Sequence, residues 1–209
     1  MERTHGLIFD FDGTIADSLF MILSTVNRLS SELGVHSIPE GGKELWREKG
    51  AKEVLHELGI PIWRVPFIMR RVREELALHM ERVNPIPGVV PVLEELHRAG
   101  MPLGILTSNS VPNVEEFLRR HTIDFFDYIY SENRLFGKGK ILRHLLKKKA
   151  LDPHQVFYVG DETRDVEAAK KSDVPVIAVT WGFNSEAALR KHSPDYIVRA
   201  PQDLLPLVL

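Results

Sequence analysis

The chain has 209 residues, which allows one or two small domains with a sizeable hydrophobic core. Its formal net charge of −2 gives no electrostatic reason to expect binding to nucleic acid or to an anionic membrane, and neither partner is predicted. The absence of cysteine excludes disulfides, thiolate metal sites and cysteine nucleophiles. Apolar stretches stay well below the roughly 18 residues of a membrane span, and the N-terminus enters a strand almost at once. We therefore expect a cytoplasmic protein without a signal peptide.

The first predicted element is a strand over about residues 6–11, an apolar run that ends on two carboxylates, Asp10 and Asp12. Side chains alternate along a strand, so these carboxylates lean to the same side. Gly13 lets the backbone turn, and Thr14 adds a hydroxyl donor. Two carboxylates this close repel each other and require a cation or a shared proton. A strand that runs into a surface Asp-Gly turn is the plainer interpretation, but it explains neither Asp10 nor Thr14.

Residues from about 16 to 85 contain helical patterns only. The predicted helices cover residues 17–33, residues near 42–58 with an interruption at Gly50, and residues 62–82. An all-helical insertion between the first and second strands predicts a separate module, with Pro85-Ile86-Pro87-Gly88 as the return linker. The predicted domains are residues 1–15 together with 86–209, and residues 16–85.

Strands and helices alternate after residue 86. The predicted strands cover about 102–107, 127–131, 155–160, 175–180 and 195–198, and the clearest helices cover 88–99, 111–121 and 138–149. This alternation favours an α/β fold, a Rossmann-like doubly wound parallel sheet carrying the inserted all-helical module.

Polar residues follow three later elements of this pattern. They are Thr107-Ser108-Asn109 after the second strand, Lys138 in Phe136-Gly137-Lys138-Gly139-Lys140, and Asp161 and Asp165 after the strand at 155–160. The carboxyl ends of parallel strands open on one edge of the sheet, where ligands bind. We therefore expect these residues to meet Asp10 and Asp12 in one pocket.

In this order and spacing, the four motifs resemble those of the haloacid dehalogenase superfamily of aspartyl phosphatases, in the branch with a helical cap after the first motif. The stretches Gly160–Asp165 and Val179–Asn184 look like those of the phosphoglycolate-phosphatase-like members. The resemblance covers almost the whole chain. It implies a Mg²⁺-dependent phosphatase that hydrolyses a small phosphorylated metabolite, first of all 2-phosphoglycolate.

The resemblance implies two different roles for the first pair of carboxylates. Asp10 is the nucleophile that attacks phosphorus and becomes an aspartyl phosphate. Asp12 is the general acid and base, which protonates the leaving alkoxide and then activates water. The dehalogenases lack this second carboxylate because a halide leaves without a proton, so dehalogenation is disfavoured.

The expected metal site consists of oxygen donors, which suit Mg²⁺. Its ligands are the carboxylates of Asp10 and Asp161 and the backbone carbonyl of Asp12. Asp165 either holds a metal-bound water or ligates directly. The nine histidines show no His-x-His or His-Glu-x-x-His pairing, so no zinc site is expected.

The expected phosphate contacts are the Thr107 hydroxyl, the Ser108 amide and the Lys138 ammonium group. Lys140 is the rival cation, because the motif lacks the Lys-Pro pair of many relatives. Lys138 is favoured since it lies nearer the loop that follows the strand. Asn109 either contacts the phosphate or caps the next helix.

The cap is expected to select the substrate through a loop at about residues 46–51. Arg47 and Lys49 are candidates to bind a substrate carboxylate, and Gly50 belongs to the same loop. Both charges are equally well explained as solvated helix ends. Trp181 either lines the substrate pocket or packs at the edge of the hydrophobic core.

Three alternatives stay open. A phosphomutase would use the same chemistry with water excluded. A non-catalytic phospho-responsive binding module would use the same residues without turnover, although receivers of this kind place the acceptor on a later strand of a shorter chain. A family member that acts on a protein partner is the third. The expected assembly is a monomer or a homodimer.

Overall fold

The computed structural model describes residues 6–39, 42–131 and 137–209. Residues 1–5 of the predicted core segment, residues 40 and 41 of the predicted insertion, and Phe136 of the lysine motif lie outside the described residues.

The core is a six-stranded, fully parallel sheet in the order β3-β2-β1-β4-β5-β6. Its strands are β1 (Gly6–Phe9), β2 (Leu103–Thr107), β3 (Tyr128–Ser131), β4 (Val156–Gly160), β5 (Val176–Val179) and β6 (Tyr196–Val198). All six predicted strands are confirmed. The first is shorter than predicted, because the chain leaves the sheet after Phe9.

β1 lies in the middle of the sheet, with its Leu7 in register with Leu103 on one side and with Phe157 on the other. The chain builds β2 and β3 on one side of β1 and β4 to β6 on the other. The sheet order therefore reverses at β1, which is the position where doubly wound folds bind ligands.

Ten α-helices cover the sheet or form the insertion within the described ranges. They are α1 (Leu19–Leu33), α2 (Gly42–Trp46), α3 (Ala51–Glu57), α4 (Val65–Ala77), α5 (Val89–Arg98), α6 (Val111–Arg120), α7 (Lys138–Lys149), α8 (Thr163–Lys170), α9 (Glu186–Lys191) and α10 (Leu205–Val208). None of these described helices combines the length and the apolar character needed to cross a lipid bilayer.

The two faces of the sheet bury alternate residues of the same strands. Leu7 and Phe9 pack with α5, α6 and α10 on one face, and Ile8 packs with α7, α8 and α9 on the other. Because both faces are covered, the central strands β1 and β2 are buried along their whole length. The α/β fold predicted from the sequence is confirmed.

The helices α1 to α4 form their own apolar cluster between β1 and β2. The predicted interruption at Gly50 is confirmed: α2 ends at Trp46, and α3 starts after Gly50, whose amide donates to the Glu53 side chain (2.8 Å). The predicted third helix is shorter, since α4 covers only Val65–Ala77 and short 3-10 turns flank it.

The two crossings between the insertion and the sheet lie side by side. The Ile86 amide donates to the Ile15 carbonyl (2.8 Å), and the Asp17 amide donates to the Asn84 carbonyl (2.9 Å). On this basis we propose that residues 16–85 form a module separate from residues 1–15 and 86–209.

Candidate active site

The site lies where β1, β2 and β4 end, beneath the helical insertion. The Asp10 amide still donates to the Val159 carbonyl of β4 (2.8 Å), so Asp10 stands directly beyond the last paired residue of β1. Thr107 ends β2, and Asp161 directly follows β4. All three side chains are buried. The parallel topology thus brings together residues about 100 and 150 positions apart in the chain.

A tight turn after Asp10 packs directly against Asp161. Gly13 has a positive φ of 79°, and a Cβ atom there would lie 2.4 Å from the Asp161 carboxylate. The next residue, Thr14, donates its hydroxyl to Asp161 Oδ1 (2.7 Å), and the Phe183 amide donates to Oδ2 (2.7 Å). Glycine is required here both for the backbone angle and for this close approach.

Lys138 contacts two carboxylates of the site, those of Asp10 and Asp165. Its Nζ atom lies 2.7 Å from Asp10 Oδ2 and 2.5 Å from Asp165 Oδ1, and all three side chains are buried. Burial alone would lower the pKa of Lys138, but its attraction to the two carboxylates outweighs this and raises that pKa. Lys140 is exposed, and the geometry therefore favours Lys138 over it.

Tyr158, which the sequence reasoning missed, supports this pair from β4. Its ring lies 5.6 Å from Lys138 Nζ, and its hydroxyl is 3.5 Å from Asp165 Oδ1. Burial raises its pKa well above the usual value, so the hydroxyl stays a neutral donor. An apolar strand pattern does not reveal such a contact.

The carboxylates of Asp10, Asp161 and Asp165 form one compact group. One oxygen from each lies within 4.8 Å of the others. Oxygens bound to one Mg²⁺ ion are at most about 4.2 Å apart, so a small adjustment would let this group hold the ion. The all-oxygen donor set also fits Mg²⁺.

The Lys138 ammonium compensates the negative charges of this group only in part. Burial raises the pKa of Asp10 to about 7, although the Lys138 ammonium opposes the shift. Burial also raises the pKa of Asp161 well above its usual range, and repulsion from Glu162, Asp10 and Asp165 adds to it. A bound divalent cation would relieve both effects.

The Asp12 carboxylate lies apart from this group and points to the insertion. Its Oδ1 accepts the Ser18 hydroxyl (2.6 Å), and both its oxygens accept from Asn109 Nδ2 (3.3 and 3.1 Å). Burial raises the pKa of Asp12, while these two hydrogen bonds act in the opposite direction. Asp12 is thus held in one orientation by Ser18 and Asn109, and the net shift of its pKa is upward.

The residues after β2 are tied to each other and to Asp12. The Thr107 hydroxyl accepts the Asn109 amide (2.9 Å), and Ser108 is buried beside it. Asn109 Oδ1 accepts from Asn113 Nδ2 (3.0 Å), while Ser110 is the N-cap of α6. Asn109 therefore positions Asp12, a role that neither predicted alternative included.

The predicted specificity loop is docked onto the core. Arg47 donates to the backbone carbonyls of Gly182 (2.9 Å) and Thr180 (3.1 Å). Asn184 Nδ2 in turn donates to the carbonyls of Arg47 (3.1 Å) and Lys49 (2.9 Å). The Arg47 side chain thus serves to fasten the insertion to the loop after β5.

The other predicted specificity residues also have local partners. Lys49 forms an ion pair with Glu57, and Gly50 starts α3. Trp181 packs against the core cluster and donates from Nε1 to the Thr14 carbonyl (3.1 Å). It therefore supports the turn that carries Thr14, in agreement with the packing interpretation.

A cavity of about 190 Å³ lies between the carboxylates and the insertion. Its floor includes Asp12, Gly13, Ser108, Asn109 and Asp161. Arg47, Lys49, Gly50 and Trp181 are not among the described residues that line it. A residue that the sequence reasoning missed, Arg73 of α4, lines it together with apolar side chains of the insertion.

Comparison with known proteins agrees with this geometry. Residues 7–179 match the family model described as haloacid dehalogenase-like hydrolase. A phosphoglycolate phosphatase of Synechococcus elongatus is 34% identical over 98% of this chain and 97% of its own length. That of Escherichia coli K12 is 27% identical over 98% of this chain and 92% of its own length.

A solved structure also matches over nearly the full length. A predicted phosphatase from Clostridium acetobutylicum superposes with a TM-score of 0.85 at 21% identity, over 99% of both chains, and shares the fold. The motifs, the sheet topology and the family match agree, and the protein is an enzyme that belongs to the haloacid dehalogenase-like hydrolase family.

Proposed function

We propose that this enzyme is a Mg²⁺-dependent phosphatase that hydrolyses a small phosphorylated metabolite, with 2-phosphoglycolate as the first candidate substrate. The observation that carries the proposal is the contact of Lys138 Nζ with Asp10 and Asp165, beside Asp161. A nucleophilic carboxylate must approach an anionic phosphate, and this arrangement supplies one cation and a place for a second.

In the proposed reaction, Asp10 attacks phosphorus in line and forms an aspartyl phosphate, while the alcohol leaves. Asp10 and Asp161, with the Asp12 carbonyl and Asp165, would hold Mg²⁺, which supplies charge neutralisation when bound. Lys138 provides the fixed positive charge of the protein, and its two carboxylate contacts keep its ammonium group in place.

Asp12 is the proposed proton donor and acceptor. It donates its proton to the oxygen of the leaving alkoxide, and then accepts a proton from the water that attacks the aspartyl phosphate. Burial raises its pKa, which increases the protonated fraction available for the first step. Ser18 and Asn109 orient its carboxylate for both steps.

The Thr107 hydroxyl and the Ser108 amide are the proposed contacts to the non-bridging phosphate oxygens. The curated relatives named phosphoglycolate phosphatase support the choice of first substrate, since their similarity extends over both the core and the insertion. The cytoplasmic location and the monomeric or homodimeric assembly stay predictions.

The proposal is tested by measuring inorganic phosphate released from 2-phosphoglycolate and a panel of other phosphometabolites, with Mg²⁺ and with EDTA. The control variant is Asp10→Asn, which keeps the size of the side chain. We expect Mg²⁺-dependent release by the wild-type protein alone. If Asp10→Asn still releases phosphate, Asp10 is not the nucleophile. Transfer of phosphate to a second sugar without release of inorganic phosphate would identify a phosphomutase.

A further inference from the structure

Arg73 is a charged residue on the buried face of α4. The side chains of Met69, Val72 and Leu76 line the same cavity, at the spacing of one helix face. Arg73 is only 9% exposed, and it lines this cavity, whereas Arg71, two residues earlier, is not among the described residues that line it. Arg73 therefore brings a charged side chain to a cavity wall that is otherwise mainly apolar.

The backbone of Arg73 lies next to the proposed phosphate site. Asn113 Nδ2 lies 3.5 Å from the Arg73 carbonyl and 3.0 Å from Asn109 Oδ1, and Asn109 in turn contacts Asp12. A single side chain therefore bridges α4 to the loop after β2. Arg73 and Ser108, one of the proposed phosphate contacts, line the same cavity.

The other insertion residues that line the cavity are mainly apolar, among them Leu19, Ile22, Val26, Val54, Leu55 and Ile68. A polyhydroxylated sugar would lose its hydration against these walls without gaining hydrogen bonds, which is costly. Among the described residues of the insertion that line the cavity, Arg73 carries the positive charge. The core cation, Arg164, binds both carboxylate oxygens of Glu162.

We propose that Arg73 determines substrate specificity by binding a carboxylate on the organic part of a short phosphomonoester. This inference rests on the proposed phosphatase function and assigns the selecting residue within it. A guanidinium group binds a carboxylate through two parallel hydrogen bonds, and apolar surroundings strengthen them. Sugar phosphates offer no such partner and are disfavoured.

The test compares kcat/KM for 2-phosphoglycolate, ethyl phosphate and glucose 6-phosphate. Ethyl phosphate has a two-carbon body like phosphoglycolate but lacks the carboxylate. We expect wild-type protein to prefer 2-phosphoglycolate over both others by at least about tenfold. Arg73→Met should lower kcat/KM for 2-phosphoglycolate by about 100-fold and change the value for ethyl phosphate less than about threefold. The kcat/KM of Arg73→Lys for 2-phosphoglycolate should lie between these values, because lysine keeps the charge but cannot form the two parallel hydrogen bonds.

Arg71→Met is the matched control, since it removes an arginine of the same helix that pairs with Glu32 and Glu75 and does not line the cavity. It should leave the substrate preference unchanged. Thermal unfolding of each variant shows whether it folds. If Arg73→Met does not fold, the wild-type preference and Arg73→Lys decide the question.

The outcomes separate this inference from the proposed function. Phosphate release with no preference for the carboxylate, or an equal loss on both two-carbon esters, overturns the role of Arg73 and leaves the phosphatase intact. Absence of release from all three esters contradicts 2-phosphoglycolate as the substrate and overturns the inference with it.

Discussion

Lys138, the first residue of α7, and Asp10, which directly follows β1, form a buried ion pair with 2.7 Å between Nζ and Oδ2. The two residues are far apart in the chain, and the lysine begins a helix whose first turn carries no acidic residue. A buried pair of this kind is costly to break, because removing one partner leaves the other charge without compensation.

Lys138→Met is therefore expected to lower both activity and stability. We expect kcat to fall by about 100-fold to 1,000-fold, in line with the loss of one electrostatic group at a reacting centre. The free energy of unfolding of the metal-free protein should fall by about 3 kcal/mol. Steady-state kinetics and urea unfolding measure the two effects. Lys140→Met, at an exposed position of the same helix, is the control, and an equal loss there would contradict the assignment.

The stability of the metal-free protein should depend on pH through Asp10. Its pKa is about 7 in the folded protein and about 3.9 in an unfolded chain, so the folded state binds this proton more tightly. The unfolding free energy of wild-type protein, relative to Asp10→Asn, should thus fall as pH rises from about 4 to 7. The expected change is on the order of a few kcal/mol.

Urea unfolding in EDTA at several pH values measures this difference. Mg²⁺ should then stabilise the wild-type protein more at pH 8 than at pH 5, since the ionised carboxylates bind it. If the difference in unfolding free energy between wild-type protein and Asp10→Asn stays constant across this pH range, the pKa of Asp10 is not raised by burial.

Gly13→Ala is expected to damage the metal site. The added Cβ would lie 2.4 Å from the Asp161 carboxylate, in a backbone conformation with φ of 79°. We expect Mg²⁺ affinity, measured by calorimetry, to fall at least about tenfold. Gly100→Ala is the matched control, because Gly100 has a similar φ of 76° but no atoms within 4 Å of the added Cβ. An equal loss of Mg²⁺ affinity in both variants would contradict a role for the close contact between position 13 and Asp161.

Ser18→Ala is expected to shift the pH profile. The Ser18 hydroxyl bonds to Asp12 Oδ1 (2.6 Å) and lowers the pKa of that carboxyl, so its removal should raise this pKa. The descending limb of kcat/KM, where Asp12 loses the proton that it donates, should move to higher pH. The Ser18 side chain makes no helix-cap hydrogen bond, so the helix itself is unaffected.

Ser24→Ala, which removes an exposed hydroxyl from the same helix, should leave the profile in place. If the descending limb of the kcat/KM profile stays at the same pH in Ser18→Ala, Asp12 is not the group that donates the proton.

The architecture could be predicted because it follows from local patterns. Buried strands read as apolar runs, and their alternation with helical stripes such as Leu142, Leu145 and Leu146 is typical of a parallel sheet. The parallel topology then requires residues at the strand ends to converge, as Asp10 and Asp161 do. These conclusions need only the order of the elements.

The partners of long side chains required the folded structure. Arg47 and Arg73 are both arginines of the helical insertion, yet one fastens a loop through the Gly182 carbonyl and the other lines the cavity. Lys138 and Lys140 differ by two positions, which on a helix places them about 200° apart around the axis. Periodicity determines which residues share a face, but the packing of the insertion on the sheet determines what that face meets.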